Sequence, residues 1–411
     1  MKIIIAIITI VLLISLPCCM SAYAEPEIRI IVASDLHYIA PSLTDNGEYY
    51  QRVLKNGDSK FMPYIEGITD AFLDEVIKER PAALLLTGDL TFNGAIISHE
   101  ALAEKLRVVK DTGIPILVQT GNHDLYNVNA AKYQRDTFTR VPYGTTELFS
   151  TIYKDFGLDG AVSVDRDSLS YIYPLNDELR ILMLDLNTDH DFCGLSEKSL
   201  IWVEEQLKDA QAAGTRVLAA GHQNIFQHSI FRGGYVISGA DQLASLFRKY
   251  NVTLYLSGHL HIQHILEQDG VTEIATSALC SYPCQYGILE FSGDSICYKT
   301  KRLDMAEWAR ENGITDPVFQ NFQDAAASYM SEHLSSPLPE SINDISWKRK
   351  TDYLKELNLA YFSGDLRKLE SLDSDGSIVE LLLQPNDMTS MYVGSVLREQ
   401  GKNSNVWEGT W

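Results

Sequence analysis

Residues 257–264 read SGHLHIQH and place three of the chain's ten histidines within six positions. The stretch before it, VTLYL at 252–256, is apolar and rich in β-branched residues, so it reads as a buried strand. A buried imidazole without a partner is costly. These histidines therefore either satisfy one another and the backbone, or hold a metal. Moving outward, four more apolar strands end in the same kind of cluster. Strand 28–34 runs into SDLH, 82–87 into TGDLTFNG, 115–120 into TGNHD and 216–220 into GHQN. The carboxyl ends of strands in an open α/β sheet are where loops converge and sites form. Asp35 and His37 stand two apart, as do His259 and His261, so an extended backbone would point each pair to one face. Glycines at 88, 121, 221 and 258 allow sharp turns and close approach of the ligand loops.

From Glu27 to about Arg302, strands alternate with helical stretches. Ser98 is expected to cap a helix running to Gly113, and Ser196 one running to Gly214. Pro63 suits the first turn of another, which ends before Pro81. After Gly258 hairpins follow, with turns at Asp269–Gly270 and at SGD, residues 292–294. This is a mixed α/β layered domain. From about Leu303 no strand signal remains. Asp304 with Glu307 makes a helix start, and Leu354, Leu357, Tyr361 and Phe362 share one helical face closed by Gly364. Pro337 and Pro339 mark a loop. The expected division is a leader at 1–24, a catalytic domain at 25–302 and a helical domain at 303–411.

The chain has 411 residues and 45% hydrophobic content, enough for one large or two ordinary domains. Lys2, the apolar run Ile3–Leu16 and the ending SAYAEPE have the layout of a secretory signal, with cleavage expected after Ala24 and export to the cell envelope or medium. The same residues could instead remain as an uncleaved anchor. A lipoprotein reading of Cys18–Cys19 is opposed by Pro17 and Cys18, which sit where a lipobox wants small residues. The net charge of −21 repels nucleic acid polymers and anionic membranes, so membrane contact would come only through the N-terminus. A phosphate substrate would need a local positive centre, which metal ions can supply. Cys193, Cys280, Cys284 and Cys297 allow three disulfide pairings, between which the sequence does not choose.

Taken jointly and in this order, D-x-H at 35–37, GD at 88–89, GNHD at 121–124, GH at 221–222 and GHxH at 258–261 resemble the calcineurin-like metallophosphoesterase superfamily over about 27–300. The resemblance implies a four-layer α/β/β/α sandwich with the helical region appended. It also implies a dinuclear site: Asp35, His37 and His261 on one ion, Asn122, His222 and His259 on the other, Asp89 bridging. Mixed oxygen and imidazole ligands suit Mn, Fe, Zn or similar ions. Two divalent ions against two aspartates leave positive charge for a phosphate and for the metal-activated hydroxide that attacks it. In the family, His123 lies beside the leaving oxygen as general acid or electrostatic stabiliser. Asp124 would either orient His123 or close the turn.

Departures narrow the class. Phe92 stands where purple acid phosphatases carry a metal-binding tyrosine. Phe92–Asn93 replaces the Asp-Arg of the serine/threonine phosphatases, so the arginine that grips a monoester dianion is missing there. The leading expectation is a small phosphodiester substrate, with closest likeness to class III cyclic nucleotide phosphodiesterases and their exported bacterial relatives. Its rivals are a phosphomonoesterase acting on nucleotides or envelope phosphates, and a metal-stabilised binding protein without turnover. Asn93 reads as a phosphate ligand or a turn residue, and His228 as a surface loop residue. His264 reads as structural or surface, and Cys280, Tyr282 and Cys284 as pocket fringe or buried core. The tyrosine-bearing loop 38–64 and part of 303–411 are expected to wall the site mouth. The opposing expectation packs 303–411 on the sheet's far side.

Overall fold

Strict alternation in the central strands sorts their side chains onto two buried faces. In the computed structural model, which describes residues 27–187, 193–231, 233–334, 345–373, 376–385 and 387–411, the chain opens with β1 (Ile28–Ala33), β2 (Ala83–Thr87) and β3 (Ile116–Gln119). Between them run α1 (Glu48–Lys55), α2 (Ile65–Glu79) and α3 (Ile96–Lys110). A small hairpin, β4 (Ala131–Gln134) with β5 (Thr137–Arg140), and α4 (Thr146–Ile152) follow. Next come β6 (Ser163–Val164), β7 (Tyr171–Pro174), β8 (Leu179–Leu184), α5 (Glu197–Ala212), β9 (Arg216–Gly221), α6 (Ala240–Lys249) and β10 (Leu254–Ser257). The hairpins β11 (His264–Gln268) with β12 (Val271–Ala275), and β13 (Gln285–Ser292) with β14 (Ser295–Arg302), complete this part. The expected leader and its Ala24 site, and the loop at Pro337 and Pro339, lie outside the described residues.

Ile30 and Val32 of β1 meet Leu85, Leu117, Met183, Leu218 and Leu256 between two sheets. Ile31 and Ala33 face the other way with Leu84 and Leu86, into the core shared with α2 and α3. Leu182, Leu184 and Ala219 pack on α5 and α6. The result is the expected α/β/β/α stack. Strands buried on both faces need continuous apolar runs, which is why LLL and ILML appear in the sequence. One sheet runs β15-β14-β13-β1-β2-β3 and the other β11-β12-β10-β9-β8-β7-β6, where β15 is Val406–Thr410.

Ser196 caps α5 as expected, its hydroxyl accepting from Ser199 N at 3.1 Å. Asp304 likewise caps α7 (Met305–Glu311). Ser98 does not cap α3. Ala95 holds that position, and the Ser98 hydroxyl, inside the helix, accepts from Ala40 N at 3.1 Å. A tertiary partner claimed the side chain that local pattern had assigned to the helix end. Pro63 sits in a 3-10 turn, Met62–Tyr64, that feeds α2 directly.

Residues 303–411 are not purely helical. α8 (Pro317–Gln320) and α9 (Phe322–Leu334) join α7 in the α2 core, where Trp308, Phe319 and Phe322 gather with Phe61. α10 (Ile345–Ser363), α11 (Leu369–Leu372), α12 (Ser377–Leu383) and α13 (Met388–Leu397) surround their own cluster, which takes in Ile262 from the SGHLHIQH stretch. Helices α10–α13 therefore sit beside the ligand loops, while α7–α9 pack with α2 on the outer face of one sheet. β15 corrects the reading that no strand follows residue 303. It pairs antiparallel with β14, Tyr298 opposite Trp407, and extends the sheet. As an edge strand with one exposed face, VWEGT carries too few apolar residues for a strand pattern to stand out. Cys193, Cys280, Cys284 and Cys297 are all free thiols. Among the described residues, no helix is long and apolar enough to cross a membrane.

Candidate metal centre

The loops after β1, β2, β3, β9 and β10 end at one place, and their backbone is unusual. Asp35 (φ 54°), His37 (47°), Asp89 (47°), His259 (69°) and His261 (59°) all adopt left-handed conformations. Non-glycine residues there cost about 1–3 kcal/mol each and persist where the surroundings enforce them. The D-x-H and H-x-H pairs thus converge, but not through the extended backbone that their spacing suggested. Alternate left-handed residues turn the chain at each ligand. Two glycines make room. Gly88 is itself left-handed (φ 94°), and a Cβ there would stand 2.7 Å from the His222 ring. A Cβ on Gly258 would collide with Ser34 Oγ.

Side-chain atoms of three overlapping groups lie within 4.8 Å of one another: Asp35, His37 and His261; His37, Asp89 and His123; Asp89, His222 and His259. His37 Nε2 is 3.3 Å from His261 Nε2, and Asp35 Oδ1 is 3.3 Å from that same atom. Asp89 Oδ2 lies between the outer groups, 3.5 Å from His37 Nε2 and 3.3 Å from His222 Nε2. Asn122 Oδ1 joins at 3.2 Å from His222 Nε2. Backbone amides aim the carboxylates: His259 N donates to Asp35 Oδ2 at 2.9 Å, and His123 N to Asp89 Oδ1 at 2.8 Å.

Each imidazole's second nitrogen decides which atom faces inward. His222 Nδ1 meets Thr87 O at 2.8 Å, His123 Nδ1 meets Phe92 O at 2.8 Å, and His259 Nε2 meets Gly234 O at 2.9 Å. Donation to those carbonyls turns His222 Nε2, His123 Nε2 and His259 Nδ1 towards the centre. His261 differs, because its Nδ1 lies 3.7 Å from a carboxylate, Asp58 Oδ2. Both Asp58 oxygens are 2.6 Å from Lys60 Nζ. Asp35 Oδ1, buried at the centre, has no hydrogen-bond partner; His37 Nδ1, the ring nitrogen turned away from Asp89 and His261, has none either.

The charges respond accordingly. Burial alone would raise Asp89, but His222 and His123 outweigh it and hold its carboxyl well below the usual range. Burial would likewise raise Asp35, and the charges of His261 and His222 bring it down instead. Burial opposes charge on His222, yet Asp89 and Asp35 lift it to about 9. Burial together with His222 pushes His259 down to about 4. Burial and the Lys60 charge depress His37. A cation would replace the proton that His222 carries between the two aspartates.

All seven expected ligand residues and His123 meet here; Asp124 plays a different part. Its carboxylate accepts from Leu90 N, Thr91 N, Thr91 Oγ1 and Gly121 N at 2.9–3.0 Å. It ties the GD loop to the GNHD loop and does not orient His123, which the Phe92 carbonyl holds. Asn93 is also structural, since its Nδ2 donates to Tyr133 Oη and Asn129 O. His228 is not on the surface: it is buried, as is His264. Sequence reading missed Asp58 and Lys60, whose loop was expected at the mouth but whose contact with His261 depends on a separation of some two hundred residues. It also missed Tyr235, whose ring stands 5.2 Å from that of His259.

The chain is similar to several known proteins. The chain is 25% identical over 263 residues to a probable cyclic nucleotide phosphodiesterase of Rhodococcus erythropolis, covering 63% of this chain and 73% of that one. It is 23% identical over 245 residues to a probable glycerophosphodiester phosphodiesterase, GpdQ, of Arcobacter nitrofigilis, covering 58% and 78%. A crystal structure of a dimetal phosphatase from Danio rerio overlays with a TM-score of 0.49 at 13% identity, over 68% of this chain and 97% of that one. The family model of the calcineurin-like phosphoesterases matches residues 28–263, a span that contains every converging ligand residue. The chain belongs to the calcineurin-like phosphoesterase family and is a metal-dependent phosphoesterase.

Proposed function

We propose that this chain is an exported phosphodiesterase with a dinuclear metal centre. The observation that carries the reading is Asp89 Oδ2, which stands within 3.5 Å of a ring nitrogen from each of two ligand groups. Asp35, His37 and His261 would hold one ion, Asn122, His222 and His259 the other, and Asp89 both. The fit rests on the unpartnered Asp35 Oδ1 and on a nitrogen–oxygen donor set that suits Mn, Fe or Zn. Such a pair supplies positive charge to a phosphate and lowers the pKa of water.

The protein's own groups do the rest. His123 is about a third exposed while Asp35, His37 and His222 are fully buried, so its ring can reach a leaving group at the mouth of the cluster. Its Nδ1–H is committed to Phe92 O, so the atom free to hold and pass a proton is Nε2, 4.0 Å from Asp89 Oδ2. Donation from Nε2 to the departing alkoxide completes hydrolysis. A diester is favoured because, among the described residues, the cation whose charge bears on His37, Lys60, is already paired with Asp58 and is not free to clamp a second phosphate charge. The names of the two bacterial relatives point the same way. Export is supported by Lys2, the apolar run and the A-x-A ending at Ala24; N-terminal sequencing of the protein from culture fractions tests it. The function is tested by loading purified protein with Mn, Fe and Zn in turn. Bis-p-nitrophenyl phosphate and cyclic nucleotides are then compared with p-nitrophenyl phosphate. Diester hydrolysis should dominate, and a preference for the monoester overturns the reading.

A further inference from the structure

An apolar cavity of about 280 Å³ adjoins the metal centre on the side of the C-terminal helices. Phe231, Tyr235, Leu260, Ile262, Phe362 and Tyr392 form most of its wall. It touches the ligand set twice. Tyr235 is shared, with its ring 5.2 Å from that of His259. Leu260 and Ile262 alternate with His259 and His261, so two residues of one segment face the ligands and two face the cavity. Among the described residues, none that lines it is charged. Most polar groups on its wall are engaged within the protein: Tyr361 Oη donates to His228 O at 3.3 Å, Tyr392 Oη to Asn358 Oδ1 at 2.8 Å, and Ser229 Oγ to Phe231 O at 3.2 Å. Such a wall gives a sugar, a glycerol or a second phosphate few partners for the water each would lose. An apolar group gains by leaving water there. Phe231, at 44% exposed, marks the rim.

We infer that this cavity is a subsite for an apolar ester group of the substrate, so that the metal centre acts on phosphodiesters in which one alcohol is an alkyl or aryl group. The inference rests on the diesterase reading and adds to it the class of alcohol. Leu260 and Tyr235 link the chemistry to the subsite, and α10 and α13 build its outer wall.

The test is a series of methyl, butyl, octyl and phenyl p-nitrophenyl phosphates, below any micelle threshold, on the metal-loaded full-length protein. The leaving group is constant, so only the retained ester varies. KM should fall roughly tenfold or more from methyl to octyl, with kcat little changed. Comparing the phenyl and butyl arms distinguishes an aryl from an alkyl preference. Phe231→Asp, at a half-exposed site away from the ligands, should flatten the series to about twofold while leaving the methyl substrate unaffected. Calorimetry of octyl methyl phosphate with metal-free protein should detect binding that Phe231→Asp abolishes. A flat wild-type series, or a variant that keeps the full chain dependence, overturns the subsite. If no diester turns over with two metals bound, the diesterase reading fails, while the calorimetric arm still judges the cavity.

Discussion

Two buried clusters in this protein use the same side chains for different ends. At the strand ends, five imidazoles, two carboxylates and Asn122 converge on one volume, with Asp35 Oδ1 left without a hydrogen bond. Near the helices, Glu273, His228, His264 and Glu399 form a line. His228 Nε2 lies 3.2 Å from Glu273 Oε2 as an ion-pair contact, His228 Nδ1 is 2.8 Å from His264 Nδ1, and His264 Nε2 is 2.7 Å from Glu399 Oε2. His228 Nε2 has that contact but no hydrogen bond, while the other three ring nitrogens of the line each have one partner. The difference teaches that residue type does not mark a metal site; convergence on one volume does. In the line, the contacts run one after another. At the centre, two ring nitrogens 3.3 Å apart face the same Asp35 oxygen, an arrangement that a shared cation fits.

The comparison is broken most decisively at Asp89. Asp89→Ala removes the one carboxylate reaching both groups, so bound metal should drop well below two per chain and hydrolysis should vanish. Elemental analysis finding two equivalents in an active variant would refute the bridging role. Next in size is His123→Ala, which should keep both metals yet lose roughly a hundredfold in turnover, the usual scale for a general acid. The loss should be smaller for p-nitrophenolate than for alkoxide leaving groups, and an equal loss for both denies the proton transfer.

Asp58→Asn tests His261, whose second ring nitrogen lies 3.7 Å from a carboxylate. Metal affinity, read by chelator competition, should fall about 10–100-fold, as for other such partners. Unchanged affinity means that Lys60 and Asp58 serve only each other. In the linear cluster, His264→Gln should cost about 1–3 kcal/mol of stability by stranding Glu399 and His228, with metal content and small-diester turnover intact. A loss of metal there would merge the two clusters into one.

The smallest effect is a pH profile of the metal-free protein. His222 is raised from 6.5 to about 9 on folding, so its contribution is complete below pH 6.5 and is lost as pH climbs towards 9. His259 is depressed to about 4, so its contribution is complete above pH 6.5 and is lost on acidification. Melting temperature without metal should therefore peak near pH 6.5. Metal should erase the alkaline limb, since a ligated His222 is already neutral, and an alkaline limb that persists with metal speaks against His222 as a ligand.

The layers of the fold and nearly all of the metal centre were legible in one dimension. Strands buried on both faces announce themselves as LLL or ILML, and ligands placed directly after such strands have little freedom to be elsewhere. What failed did so for stated reasons. Ser98 looked like a cap because local pattern cannot see Ala40, and Asp124 could be given to His123 because both lie in GNHD. VWEGT was invisible because an edge strand needs only one apolar face, and His228 read as a surface residue because Glu273 and His264 are distant in the chain.

Residue order and type were enough for the sandwich, the residues that converge and the family, because each depends on a short motif anchored to an apolar strand. Tertiary structure alone decided the rest. It set which ring nitrogen of each histidine faces the centre, because distant carbonyls at Thr87, Phe92 and Gly234 take the other. It tied Asp58 to His261, and it built an apolar cavity from Phe231, Leu260 and Phe362. Those contacts join segments that only the folded chain brings within a few ångströms, and no local pattern encodes a distance between them.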